Sequence, residues 1–219
     1  MNISTKKTYI FIDLDGTLID SAPGITKSLM FALSKYGIEV SDRKKLSVFI
    51  GPPMWESFQK YYGFSEEQAF EAARYYRSYF QEEGIFDNSV YEGIIDLLTK
   101  LKEAGKTLIV ATSKPIPFAN RILEHAKIDK FFSFVAGSEL DGRRTNKAEV
   151  IAYALEECNI TDKSKVIMIG DREHDIFGAR ENGISVIGVL YGYGSIDELQ
   201  QAKADYIVKT TKEIEHLLC

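Results

Sequence analysis

The sequence predicts an α/β protein, a doubly wound parallel sheet with an inserted α-helical cap domain. Short apolar segments alternate with amphipathic segments over most of the chain, a rhythm typical of βαβ units. The apolar segments have no polar face, which indicates strands buried on both sides of a parallel sheet. The first two, 9–12 and 107–112, are separated by about ninety mainly helical residues, far more than an ordinary crossover needs.

The elements follow from the hydrophobic period and from the residues that start and stop helices. Between the first two strands we predict only helices, at 22–36, 44–50, 54–62 and 66–83, divided by glycine or proline. Beyond residue 91 we predict helices at 92–104, 117–127, 146–157 and up to 182, and strands at 107–112, 134–136, 166–169 and 186–190. A turn at 191–194 precedes a helix, a strand ending at 207–208 and a helix at 214–218. The predicted core comprises residues 1–18 and 86–219, and the predicted helical cap comprises residues 19–85.

Composition excludes several classes of protein. The chain has 219 residues, a net charge of −5 and a pI near 5.4, which argues against nucleic acid or an anionic membrane as the main partner. Its two cysteines, Cys158 and Cys219, form neither a disulfide framework nor a metal-ligand spacing. The first residues lack the apolar stretch of a signal peptide, and no apolar segment is long enough to span a bilayer. We therefore expect a cytoplasmic protein.

Polar residues follow three of the predicted buried strands at the points where those strands end. They are Asp13 and Asp15, then Thr112 and Ser113, then Asp171 with Asp175. Residues i and i+2 of a strand point the same way, so the first two carboxylates could share one site. In open α/β sheets ligands bind beyond the carboxyl ends of the strands, so all three groups could converge there, joined by Lys147 at a helix start. Each feature alone also fits a polar turn or a helix cap.

Taken together, these segments resemble the four motifs of the haloacid dehalogenase (HAD) superfamily. The Asp-x-Asp-Gly-Thr motif appears at 13–17, the strand-end threonine as Thr112, the lysine at a helix start as Lys147, and Gly-Asp-x-x-x-Asp at 170–175. They occur in the family's order and span nearly the whole chain. The closest resemblance is to the phosphoglycolate-phosphatase-like group, which implies a Rossmann-like core and a helical cap of the C1 type.

The resemblance implies a Mg²⁺-dependent phosphohydrolase that works through an aspartyl-phosphate. It makes Asp13 the nucleophile and Asp15 the general acid and base, with Lys147 neutralising charge. It assigns phosphate binding to Gly16, Thr112 and Ser113, and the metal to Asp13, Asp171 and the backbone carbonyl of Asp15. Asp175 would orient Lys147 or a metal-bound water.

A covered site suits a small phosphorylated metabolite, such as phosphoglycolate, a nucleotide or a sugar phosphate. Within the cap, we predict that Gly51, Pro52 and Arg77 face the leaving group. The oligomeric state is not predicted.

Two alternatives remain open at this point. A phosphomutase of the β-phosphoglucomutase type would share every catalytic residue, although Asp-Gly-Thr rather than Asp-Gly-Val favours hydrolysis. A phospho-switch or binding module is the non-enzyme alternative. A module that had lost catalysis would be expected to lack Asp13, Asp15 or Lys147, and all three are present.

Overall fold

The computed structural model describes residue 3 and residues 6–219. The chain divides into two compact units. The first comprises the described residues up to Ile19 together with Val90–Cys219, and the second comprises Asp20–Ser89. The predicted core begins at residue 1, and positions 1, 2, 4 and 5 lie outside the described residues. The assignment of the two units as catalytic core and cap stays a prediction.

The strands form one large sheet and one small one. In chain order they are β1 (Tyr9–Ile12), β2 (Ile19–Asp20), β3 (Ser89–Val90), β4 (Thr107–Pro115), β5 (Phe132–Ser138), β6 (Val166–Gly170), β7 (Ser185–Val189) and β8 (Tyr206–Val208). The large sheet has the order β5-β4-β1-β6-β7-β8, and its neighbouring strands are parallel. β2 and β3 form the small sheet. The predicted doubly wound parallel sheet is confirmed.

The helices alternate with the strands of the large sheet in the first unit and follow one another in the second. They are α1 (Ala22–Ser34), α2 (Met54–Tyr62), α3 (Glu66–Glu82), α4 (Ile94–Glu103), α5 (Ile116–His125), α6 (Lys147–Glu157), α7 (Glu173–Glu181), α8 (Ile196–Gln201) and α9 (Thr211–Leu218). A 3-10 helix covers Arg43–Phe49, where we predicted a short helix at 44–50. No helix in the described part of the chain is both long and apolar enough to cross a bilayer.

Both faces of the large sheet are buried. Phe11 lies in register with Ile109 of β4 and Met168 of β6, and these side chains form one core layer with residues of α6, α7 and α8. Ile10 and Ile12, which point to the opposite face, are at most 2% exposed. The apolar strand β1 is therefore the centre of the unit, as its lack of a polar face predicts.

The second unit is a small helical bundle with an aromatic core. α3 contacts both α1 and α2, and Phe49 packs against Phe58 with ring centroids 5.3 Å apart. Ser65 and Gln68 form the predicted capping box at the start of α3. The prediction of helices alone over 19–85 is wrong at its first residues, because 19–20 form β2. A strand of two residues is too short to produce an alternating pattern.

Candidate active site

The carboxyl ends of β4, β1 and β6 lie side by side. Ile12, the last residue of β1, pairs with Val110 on one side and with Ile169 on the other. The chain moves outward from β1 to β4 and β5, and then returns to place β6 on the other side, which makes this edge the topological switch point of the sheet. The polar residues at the carboxyl ends of these strands are therefore brought together.

Lys147 holds two carboxylates, that of Asp13 after β1 and that of Asp175 in α7. It is the first residue of α6, where the Asn146 side chain accepts a hydrogen bond from Ala148 N at 2.8 Å and fixes the helix start. Its Nζ lies 2.7 Å from Asp13 Oδ1 and 2.8 Å from Asp175 Oδ1, and it donates to the carbonyl of Ala111 at 3.0 Å. An ammonium has three protons, and three oxygen atoms surround this one.

Asp171 is fully buried. Its Oδ1 accepts a hydrogen bond from Thr17 Oγ1 at 3.3 Å, and its Oδ2 accepts one from the backbone N–H of Tyr193 at 2.8 Å. Asp13, Asp171 and Asp175 each offer a carboxylate oxygen within 4.8 Å of the others. Such a group of hard oxygen atoms is suited to a divalent cation.

Burial and mutual repulsion shift the pKa values of this cluster. Burial raises the pKa of Asp13 to about 6, with Lys147 opposing the shift and Asp175 adding to it. Burial, together with Asp175 and Asp13, also raises the pKa of Asp171 well above its usual value. Burial by itself would lower the pKa of Lys147, but the carboxylates of Asp13 and Asp175 raise it above its usual value. Lys147 contacts two of the three carboxylates, and a bound cation would relieve the repulsion among all three.

The Asp15 side chain stands apart from this cluster. Its Oδ2 lies 3.1 Å from Lys114 Nζ, and the two side chains are only 13% and 7% exposed. Its Oδ1 is buried and has no hydrogen-bond partner among the described residues. The predicted metal contact of Asp15 is through its backbone carbonyl, so this placement of the side chain leaves that prediction standing.

The loop after β7 packs against the loop after β1. Gly16 has φ +85°, and a Cβ there would collide with the Asp171 carboxylate. A Cβ on Gly192 would collide with the Gly16 carbonyl. The Tyr191 hydroxyl donates to the Thr17 carbonyl at 3.2 Å. The close approach of the two loops therefore depends on glycine.

Two contributors to the site were missed in the sequence. We predicted 191–194 only as a turn, although it follows a buried strand and Tyr193 lies between two glycines. Lys114, near the end of β4, forms a salt bridge with Asp15 that we did not predict. The apolar strand residues that precede both segments were the available signal.

The residues predicted to bind phosphate lie at the same edge of the sheet. Thr112 is buried, and its Oγ1 accepts a hydrogen bond from Lys114 N at 3.2 Å. The carbonyl of Ser113 accepts one from Ser138 Oγ at 2.8 Å. The backbone N–H of Gly16 already donates to the Ile19 carbonyl at 2.9 Å. A phosphate oxygen would have to share or replace that bond, so the contact predicted for Gly16 stays a prediction.

The predicted cap residues lie in the second unit. Gly51 is exposed with φ +109°, Pro52 is half-buried before α2, and Arg77 is exposed on α3. Their contact with a leaving group stays a prediction.

The chain is similar to proteins of one family over most of its length. The family model described as haloacid dehalogenase-like hydrolase matches residues 9–189. A 5'-nucleotidase of Pseudomonas aeruginosa is 48% identical over 191 residues, which are 87% of this chain and 86% of that protein. The tyrosine-protein kinase PtkA of Mycobacterium tuberculosis is 39% identical over 94% of this chain and 67% of its own length.

A solved structure is also similar to this chain over most of its length. A crystal structure described as "a predicted phosphatase from Clostridium acetobutylicum" has a TM-score of 0.93 and 50% identity, and the match covers 96% of this chain and 97% of that one.

Proposed function

Because the chain belongs to the haloacid dehalogenase-like hydrolases, we propose that it hydrolyses a small phosphate monoester with Mg²⁺ through a phosphorylated Asp13. The membership confirms the predicted family, and with it the predicted class of enzyme, a HAD-type phosphatase. The metal, the intermediate and the substrate are our proposals.

One observation carries the proposal. The carboxylate of Asp13 is buried, 2.7 Å from Lys147 Nζ, and grouped with Asp171 and Asp175. A carboxylate in this position can act as a nucleophile towards phosphorus, since neighbouring cations would neutralise the charge of an approaching phosphate.

In the first step we propose that an oxygen of Asp13 forms a bond to the phosphorus while the bond from phosphorus to the leaving oxygen breaks. Asp15 gives its proton to that leaving oxygen, so the product departs as an alcohol. Lys147 stays paired with Asp13 and faces the transferring group, while Asp175 keeps the ammonium in place.

In the second step a water molecule gives a proton to Asp15 and its oxygen forms a bond to the phosphorus. The bond between phosphorus and Asp13 breaks, and inorganic phosphate leaves. Asp15 is then protonated again and Asp13 is free, so the cycle closes with no other reactant.

The residues present fit a magnesium ion. Asp13, Asp171 and Asp175 offer carboxylate oxygens within 4.8 Å of one another, and burial together with the neighbouring carboxylates raises the pKa values of Asp13 and Asp171. We propose Asp13, Asp171 and the Asp15 carbonyl as the ligands. When bound, Mg²⁺ would neutralise charge on the phosphate oxygens.

The remaining contacts concern the substrate. We propose that Thr112, Ser113 and Gly16 bind phosphate oxygens and that Gly51, Pro52 and Arg77 contact the leaving group. The name 5'-nucleotidase of the Pseudomonas relative supports a nucleoside monophosphate among the candidate metabolites. The proposed setting is cytoplasmic.

The test is phosphate release from a panel of phosphate monoesters, with and without Mg²⁺. We expect release to require Mg²⁺ and Asp13→Asn to lower it by about 10⁴-fold or more, because the nucleophile is lost. Asp96→Asn, at an exposed carboxylate of α4, is the matched control and should retain full activity.

Three results would contradict the proposal. Release that persists in Asp13→Asn would exclude this nucleophile. No release from any monoester, with Asp13 phosphorylated by a sugar bisphosphate or acetyl phosphate, would favour the mutase or the phospho-switch. Transfer from ATP to a tyrosine substrate would favour the activity named for the Mycobacterium relative.

A further inference from the structure

Each of the two carboxylates after β1 has a buried lysine of its own. Lys147 lies beside Asp13 at 2.7 Å, and Lys114 lies beside Asp15 at 3.1 Å. The Lys114 side chain is 7% exposed. A lysine is rarely buried to this extent unless it is paired, because its ammonium loses hydration. The second lysine therefore has a specific partner, and the mechanism proposed above gives it no task.

The backbone around Lys114 is fixed on two sides. Its N–H donates to Thr112 Oγ1 at 3.2 Å, inside its own strand. A Cβ on Gly137 of β5 would lie 2.5 Å from the Lys114 carbonyl, so β5 approaches closely at this point. Ser138 Oγ donates to the Ser113 carbonyl at 2.8 Å and ties β5 to the preceding residue. The side chain of Lys114 thus extends from a backbone that is held in place by its neighbours.

The salt bridge distinguishes the two oxygens of Asp15. Lys114 contacts Oδ2, while Oδ1 is buried with no hydrogen-bond partner among the described residues. The terminal torsion of an aspartate is broad, so an unrestrained carboxyl group would exchange its two oxygens. A cation on one oxygen prevents that exchange.

We propose, on the basis of the function proposed above, that Lys114 is a positioning residue for proton transfer. It holds Oδ2 of Asp15 and so presents Oδ1 as the oxygen that carries the proton. In the first step that proton passes from Oδ1 to the leaving oxygen as its bond to phosphorus breaks. In the second step water returns a proton to Oδ1 as the bond between Asp13 and phosphorus breaks. Lys114 keeps its own protons throughout.

The test compares leaving groups of different basicity. An alkyl phosphate needs a proton on its leaving oxygen, whereas 2,4-dinitrophenyl phosphate does not. In Lys114→Met we expect kcat/KM for the alkyl phosphate to fall about 10²-fold and kcat/KM for the dinitrophenyl ester to stay within about threefold, because kcat/KM reports the first step, in which only the alkyl ester needs the proton. Lys114→Arg, which can also bind a carboxylate, should recover most of the loss.

A double variant tests whether the two residues act as a unit. Adding Lys114→Met to Asp15→Asn should lower kcat no further, because there is no proton left to position. Lys100→Met, at an exposed lysine paired with Glu103 in α4, is the matched control and should be unchanged for every ester.

The outcomes separate this inference from the proposed function. If Asp15→Asn lowers kcat/KM equally for all esters, the acid role of Asp15 is wrong and the proposed function falls with it. If Asp15→Asn is selective for the alkyl ester but Lys114→Met is not, only the present inference is overturned. Should Lys114→Met fail to fold, Lys114→Gln and Lys114→Arg compared over the same esters decide it, and an equal loss in both would overturn it.

Discussion

The two ends of the large sheet both contain buried lysines, but with different partners. At the amino end, Lys7 Nζ donates to the carbonyls of Ser164 and Val166 at 2.8 and 2.9 Å and contacts Ser185 Oγ at 3.0 Å. All three partners are neutral. At the carboxyl end, Lys147 faces the carboxylates of Asp13 and Asp175.

The partners give the two lysines opposite electrostatics. Burial lowers the pKa of Lys7, and the more distant Asp205 and Asp162 do not reverse this. The carboxylates around Lys147 overcome the effect of burial and raise its pKa. Burial of a lysine thus does not identify a reactive site, whereas burial together with crowded carboxylates does. At the amino end the buried lysine links strands through neutral hydrogen-bond acceptors, whereas at the carboxyl end the buried lysine lies among carboxylates.

The strongest test of this contrast replaces each lysine with methionine. Lys147→Met should lower phosphate release at least about 10³-fold, because the charge facing the phosphate is lost. It should also cost about 3–5 kcal/mol of stability at pH 7, because two buried carboxylates lose their cation. Lys7→Met should cost about 1–3 kcal/mol through its unpaired acceptors and leave activity unchanged. Denaturant unfolding and phosphate release measure both effects.

Equal losses of activity in the two variants would contradict the contrast. A further check is the addition of Mg²⁺. It should reduce the difference in stability between Lys147→Met and the native chain and leave the difference for Lys7→Met unchanged, because only the first variant has unbalanced carboxylates.

Two glycines with similar backbone conformations, one at each end of the large sheet, extend this comparison of the two ends. Gly16 has φ +85° and Gly105, at the amino end of β4, has φ +73°. A Cβ on Gly105 meets nothing within 4 Å, whereas one on Gly16 meets the carboxylate of Asp171. Both alanine variants should lose about 1 kcal/mol through the backbone. Gly16→Ala should in addition weaken Mg²⁺ binding about 10- to 100-fold by displacing Asp171.

Calorimetric titration of Mg²⁺ and phosphate release would measure the difference. Unchanged Mg²⁺ affinity in Gly16→Ala would mean that Asp171 is not a ligand, or that its carboxylate can shift without weakening Mg²⁺ binding. Lost activity in Gly105→Ala would mean that backbone strain, rather than contact with Asp171, explains both results.

The fold and the charged cluster were largely predictable from sequence. β1 can be recognised as a buried strand because it lacks a polar face. Asp13 and Asp15 come directly after it in the sequence, so their place at the carboxyl end of the sheet can be predicted. Lys147 and Asp171 were placed by motifs that stand beside strand or helix ends. In each case the spacing along the chain determines where the backbone puts the residue.

The pairings within the site were less predictable. Lys114 reaches Asp15 through a long flexible side chain, and the two residues are 99 positions apart in sequence. The contact between the loop of Tyr191 and that of Gly16 joins segments far apart in sequence. β2 is too short to have a pattern. Contacts that depend on tertiary packing leave no periodic signal in the sequence.

We also expect a pH dependence of stability that is specific to Asp13. Its pKa is about 6 in the folded protein and 3.8 as the ordinary value, so the folded state binds this proton more tightly. The stability that protonation contributes is therefore fully present below pH 3.8 and is lost as the pH rises through about 6. Without Mg²⁺, the free energy of unfolding of the native chain minus that of Asp13→Asn should fall over this range by at most about 1.4 kcal/mol per pH unit.

Above that range the difference should become constant, because Asp13 is ionised in both states. Mg²⁺ favours the ionised carboxylate and should flatten the slope. Urea unfolding at pH values from 4 to 8, with and without Mg²⁺, measures both curves. A difference that stays constant between pH 4 and 6 would mean that Lys147 already balances Asp13 in the folded protein. The carboxyl end would then resemble the amino end, with every charge satisfied by the protein itself.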